Sequence, residues 1–155
     1  MRKLGFIVDK IDSSQQGYFL VRTLNAISQS CPDIDVVAFV RQVSQGPMVH
    51  LFAQMPQSEV WGFDGTVIAT NLIGAQVMAN AKGPKRKLFY VWDLEWTRMS
   101  GFRYNDAREC YDNDKIELIA RSDHHAKAIS SSWKEPLRVI KDFEKDHILE
   151  LVRSK

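Results

Sequence analysis

Apolar and polar positions follow two rhythms along the chain. Short runs, apolar on both faces and rich in β-branched and aromatic residues, alternate with stretches in which apolar residues recur every three or four positions. The run "KLGFIVD" (3–9) predicts a strand; after the polar turn "IDSSQQG", Leu20, Leu24, Ile27 and Cys31 share one helical stripe. Further strands are predicted at "IDVVAFVR" (34–41), "MVHLFAQ" (48–54), "GTVIATN" (65–71), "RKLFYVWD" (86–93), "KIELIARS" (115–122) and "LRVIKDF" (137–143). Helices are predicted at "LIGAQVMANAKG" (72–83), which Gly83 and Pro84 stop, at "DHHAKAISSSW" (123–133) and at "EKDHILELVRSK" (144–155). The stretches 42–65, with Gly46, Pro47 and Pro56, and 95–114 read as irregular crossovers or short helices.

Strands apolar on both faces, such as 34–40 and 88–92, suit a parallel sheet covered on both sides. The predicted fold class is therefore α/β: one doubly wound, mostly parallel Rossmann-like sheet with helices on both faces. With 155 residues and neither an internal repeat nor a low-complexity linker, 1–155 reads as a single domain. The composition, 45% hydrophobic and 26% charged, is that of a globular protein, and no run approaches the ~20 apolar residues of a membrane span. Asp9 and Lys10 interrupt the first apolar run too early for a secretion signal, so a cytoplasmic chain is expected. Cys31 and Cys110 lack metal-site or disulfide spacing, and a net charge of +2 is too weak to indicate nucleic acid. No cofactor motif is present, neither a P-loop nor GxGxxG, and no serine nucleophile elbow.

In such a sheet ligands bind at the carboxyl ends of the strands, near the point where the strand order reverses. Ser13 and Ser14 are candidate helix caps whose neighbouring amides attract anions, and Gly17 marks a close approach of a ligand or a strand. Asn71 follows the fourth strand. In "YVWDLEW", Asp93 and Glu95 lie between Trp92 and Trp96, a pairing of carboxylates with aromatic faces that suits sugars; alternatively Trp92 is core, Trp96 packs the following helix and Asp93 caps that helix. Asp123 and His124 follow the sixth strand. Adjacent His124 and His125 point about 100° apart on a helix, which argues against a shared metal ion and for one imidazole in the cleft. The basic run "KGPKRK" precedes a strand and falls on the opposite edge.

The succession "KLGFIVD…SSQQGYFLVRTLNAI", "KRKLFYVWDLEW" and "KIELIARSDHHAKAISSSWKEPLRVIKDF" resembles the N-terminal half of GT-B-fold glycosyltransferases over nearly the whole chain. The second segment is similar to the strand that ends near the family's acceptor-site His-Asp, with Trp92 where retaining members often carry histidine. The resemblance implies a surface for a sugar or nucleotide-sugar. It also implies no catalysis alone, since the family's donor-binding half is missing. The competing expectation is a protein-interaction module, or a homodimer, using Trp61, Trp96, Phe102 and Tyr104 with Arg98 and Arg103. A third is nucleic-acid binding through Lys82, Lys85, Arg86, Lys87, Arg98 and Arg103, for which the charge gives little support.

Overall fold

Seven strands pair in one sheet of order β3-β2-β1-β4-β5-β6-β7, every neighbouring pair parallel, in a computed structural model that describes residues 1–43 and 48–154. Gly46, Pro47 and the last residue of the expected terminal helix, Lys155, lie outside the described residues. The elements run β1 (Arg2–Val8), α1 (Gln15–Ser30), β2 (Ile34–Val40), β3 (Ala53–Pro56), β4 (Thr66–Ala69), α2 (Leu72–Asn80) and β5 (Arg86–Val91). They continue with α3 (Phe102–Tyr111), β6 (Ile116–Ala120), α4 (Asp123–Ser132), β7 (Arg138–Val139) and α5 (Lys145–Arg153). Short 3-10 helices occupy Gln57–Gly62, Glu95–Arg98 and Lys141–Phe143. The chain winds outward from β1 to β3, returns to β4 beside β1, and winds the other way to β7. This is the doubly wound α/β fold, and the order reverses between β1 and β4.

Both faces of the sheet are covered, which is why its strands carry apolar residues on both sides. On one face Leu20, Leu24 and Ile27 of α1 and Ile148 and Leu151 of α5 pack with Phe6, Leu88 and Tyr90. On the other, Leu72 and Met78 of α2, Ala107 and Tyr111 of α3 and Ile129 of α4 pack with Ile7, Val67 and Phe89. Each fully buried Leu, Ile or Phe contributes about 1.5–3 kcal/mol of transfer free energy. Among the described residues no helix is long and apolar enough to cross a membrane.

Two expected strands are shorter than their apolar runs. The third was expected at 48–54, but β3 begins at Ala53 because Asn25 of α1 captures the backbone before it, donating to the Val49 carbonyl and accepting from the Leu51 amide at 2.8 Å each. The last was expected to reach 143, but β7 is two residues long and the chain turns away at Ile140. There Asp142 and Phe143 take left-handed conformations (φ 49° and 55°), rare for side-chain-bearing residues and incompatible with an extended strand. The Tyr90 hydroxyl donates to the Ile140 carbonyl and accepts from the Phe143 amide, while the Thr23 hydroxyl of α1 donates to the Phe143 carbonyl at 2.7 Å.

Tyr90→Phe keeps the ring in the core and strands those two backbone groups. Stability is expected to fall by about 1–3 kcal/mol, read as a lower urea midpoint with an unchanged slope. A wild-type midpoint would mean that ring packing alone holds the turn.

Candidate functional site

The turn after β1 folds onto itself. The Ser14 hydroxyl accepts from the Gly17 amide at 3.1 Å, capping α1, and Asp12 accepts from the Ser14 amide at 3.0 Å. Hydrogen bonding from Ser14, its side chain first and its amide after, holds the Asp12 carboxyl below its usual range. Asp9 pairs with Arg41 at 2.6 Å, which ties the turn to the end of β2. Gly17 is buried, and a Cβ built there would lie 2.4 Å from the Asp12 carbonyl oxygen. The close approach that glycine permits is thus made by the chain's own turn. What remains at the reversal of strand order is a crevice of about 100 Å³, reached by Ser14, Gln16, Gly17, Thr70 and Asn71. Asn71 caps α2 by accepting from the Gly74 amide at 2.7 Å, and Ser13 is exposed beside the crevice.

A much wider cleft, about 800 Å³, opens on the β6–β7 side of the same edge. Gln15 lines it while Gln16 lines the crevice, so the first turn of α1 is the partition between the two spaces. Its other walls are Arg121, Ser122, Asp123 and His125 after β6, and Lys141 and Asp142 on the left-handed turn. The Arg121 guanidinium lies over the Trp92 ring, 3.6 Å from its centroid, and 3.8 Å from the Asp142 carboxylate. Trp92 in turn stacks on Phe143 at 5.4 Å with the planes 8° apart. Stacking fixes the plane of the guanidinium, and the distance to Asp142 leaves it without a tight ion pair. Ser122 caps α4 by accepting from the His125 amide at 3.1 Å. Burial, then the charge of Arg121, holds the His125 imidazole below its ordinary range, so at neutral pH the ring is uncharged and both donates and accepts. Of the two expected histidines it is His125 that faces the cleft; His124 is exposed and does not line it. The signal for Arg121, Lys141 and Asp142 was present only as polar residues leaving strands.

The segment "YVWDLEW" does not form a sugar platform. Trp92 is covered by Arg121 and Phe143, and Trp96 is buried against Tyr111 and Trp133 on the other face of the sheet. Asp93 leaves β5 on the same edge as Gly17 but lines neither space; it pairs with Arg98 at 2.7 Å, and the turn that follows has no side-chain cap. Glu95 reaches under α2, where its carboxylate accepts from the Leu72 amide at 3.0 Å. Burial pushes the Glu95 carboxyl up. The aromatic surface expected of an interaction module is broken likewise. Trp96 is core, Phe102 is exposed at the carboxyl edge, and Trp61 lies against the Gly83 turn that leads into β5 at the amino edge.

The residues expected to bind nucleic acid divide between the two edges. Arg86 is held by Glu117 at 2.8 Å and by the Leu151 carbonyl and Arg98 by Asp93, while Arg103 and the lysines of the run form no ion pair among the described residues. Among the described residues no three His, Cys, Asp or Glu side chains are grouped to hold a metal ion. Cys31 and Cys110 are buried free thiols, and burial pushes that of Cys110 up to about 12. Fold and site together define a doubly wound α/β domain with a ligand-sized cleft at the carboxyl edge of its sheet. The chain matches no family model, curated protein or solved structure.

Two outcomes follow from this geometry. Gly17→Val forces the Asp12 backbone to move and is expected to cost about 1–3 kcal/mol, a clear loss in the thermal midpoint rather than a silent block of the cleft. Glu95 has a raised folded pKa, so its contribution is fully present below the unfolded value and is lost as pH rises through the folded one. Glu95→Gln keeps an acceptor for the Leu72 amide and removes that titration. Urea unfolding across the acid range should show wild type losing stability relative to Glu95→Gln as pH rises; parallel curves would contradict the buried-carboxyl account.

Proposed function

We propose that the chain is a glycosyltransferase-like half-domain of GT-B type that binds a sugar or nucleotide-sugar at the carboxyl edge of its sheet and does not transfer the sugar alone. The observation that carries this reading is the wide cleft between the first turn of α1 and the loops after β6 and β7. It presents Arg121 and Lys141 to an anionic group. Asp123 and Asp142 accept from hydroxyls, and a neutral His125 supplies a donor or an acceptor as needed. A bare anion has no use for the two carboxylates and a neutral sugar none for the two cations. A sugar bearing phosphate uses both. Ser13, Ser14, Gly17 and Asn71, around the adjoining crevice, are the rim over which a longer ligand extends, with Asp93, Glu95 and His124 farther along the same edge.

A second reading has its own observation. Tyr18, Ile73 and Phe102, each within the first turn of a helix that starts at the carboxyl edge, are 50%, 54% and 90% exposed. Apolar side chains at the rim of one edge suit a protein partner or a second copy of the chain.

Calorimetric titration with nucleotide-sugars and sugar phosphates decides between them. The expected result is saturable binding that weakens by about 1.5–3 kcal/mol in Lys141→Ala, an exposed site where folding is unaffected, with no sugar transferred by the isolated chain. A ligand at 100 times its Kd should also raise stability by ~2.7 kcal/mol. If nothing in the panel binds and Phe102→Ser changes the oligomeric state, the interaction module replaces the half-domain. Turnover by the chain alone would refute the requirement for a partner half.

A further inference from the structure

The amino edge of the sheet, away from the cleft, carries a separate concavity of about 770 Å³ in which the charged lining residues are Lys82, Lys85, Lys87 and Lys115. Lys82 and Lys85 stand on the turn from α2 to β5, Lys87 on β5 itself, and Lys115 immediately before β6, whose first residue, Ile116, is the register partner of Lys87. Two segments distant in the chain, 82–87 and the residue before β6, therefore bring ammonium groups to one space.

No ion pair among the described residues includes any of the four. Asp64 is engaged by Lys3 at 2.6 Å and Glu117 by Arg86 at 2.8 Å, while Asp114, the residue before Lys115, forms no ion pair among the described residues. Lys87 is half-buried and donates to the Ala79 carbonyl at 3.2 Å, at the end of α2. Burial, and then the charge of Lys115, holds its ammonium below the ordinary lysine range. The four charges thus repel one another across the groove, in a chain whose whole net charge is +2. A multivalent anion relieves that repulsion, and flexible ammonium groups serve phosphate as point charges. The rest of the lining is alanine, asparagine and proline, with no aromatic ring on which a base could stack.

We propose that this groove binds a linear oligophosphate, whose successive phosphates are held by Lys82, Lys85 and Lys115 with Lys87 beneath them. The site is independent of the carboxyl-edge cleft. Titration of the full chain with sodium tripolyphosphate at low ionic strength, followed by calorimetry, tests it. One binding event is expected, tighter than that of inorganic phosphate and weakening as salt is added. The exposed Lys82→Gln and Lys115→Gln should each lower the affinity roughly tenfold, with unchanged circular dichroism, whereas Lys127→Gln on the exposed side of α4 should leave it unaltered. Absence of binding, monophosphate binding as tightly, or an equal loss in Lys127→Gln overturns the proposal. Tighter binding of a single-stranded oligonucleotide with the same number of phosphates also overturns it and makes the groove a nucleic-acid surface. None of these results bears on nucleotide-sugar binding at the carboxyl edge, which the Lys141 substitution reports separately.

Discussion

Every pair of neighbouring strands in this sheet is parallel, and most of the structure follows from that constraint. A parallel strand cannot be reached by a hairpin; the chain must cross a face of the sheet each time, and each crossing covers apolar surface. Both faces become core. All strands then end at one edge, so the loops that follow β1, β4, β5, β6 and β7 converge there whatever their separation in sequence. Gln15 and Lys141 meet in one cleft for this reason.

Within that edge the chain distributes space unevenly. The reversal of strand order between β1 and β4 is where a doubly wound sheet ordinarily leaves room. Here the Asp9–Ser14 turn fills it, braced by Arg41 and by its own carboxylate at Asp12. The larger opening moves sideways, to where β7 stops after two residues. Tyr90, Trp92 and Phe143 pack together beside it, with Trp92 beneath the Arg121 that lines it. Their ring packing and the hydrogen bonds of the Tyr90 hydroxyl hold Asp142 and Phe143 in conformations that the local chain would not choose. The polar groups of the cleft are therefore positioned by an aromatic core rather than by one another.

The sequence made the class of fold legible because apolar runs such as 34–40 and 88–91 carry their own explanation: only a strand buried on both faces needs them. A serine cap on the first helix was legible for the same local reason, and of Ser13 and Ser14 it is Ser14 that fills that role. Interactions that join distant segments were not. Nothing near Gly17 announces that Asp12 folds back upon it, and nothing in "YVWDLEW" reveals that Arg121 and Phe143 cover Trp92. Asn25 reaching the 49–51 backbone, which postpones β3, is likewise invisible to periodicity. Arg121 left a weak trace as a cation at the exit of a strand, but its orientation is set by a ring nearly thirty positions earlier in the chain.

The two outer strands, four residues at β3 and two at β7, bear on how the molecule coexists with its own copies. The unpaired side of a strand is a template for intermolecular pairing, and the hazard grows with its length and regularity. At β3 the template ends in Pro56, which has no amide to donate, and at β7 the left-handed turn carries the chain away after Ile140. A wide apolar sheet can thus remain open at both margins without offering a long ladder to a neighbour. The same shortness that makes room for a cleft on one side also guards the sheet against fibrous growth.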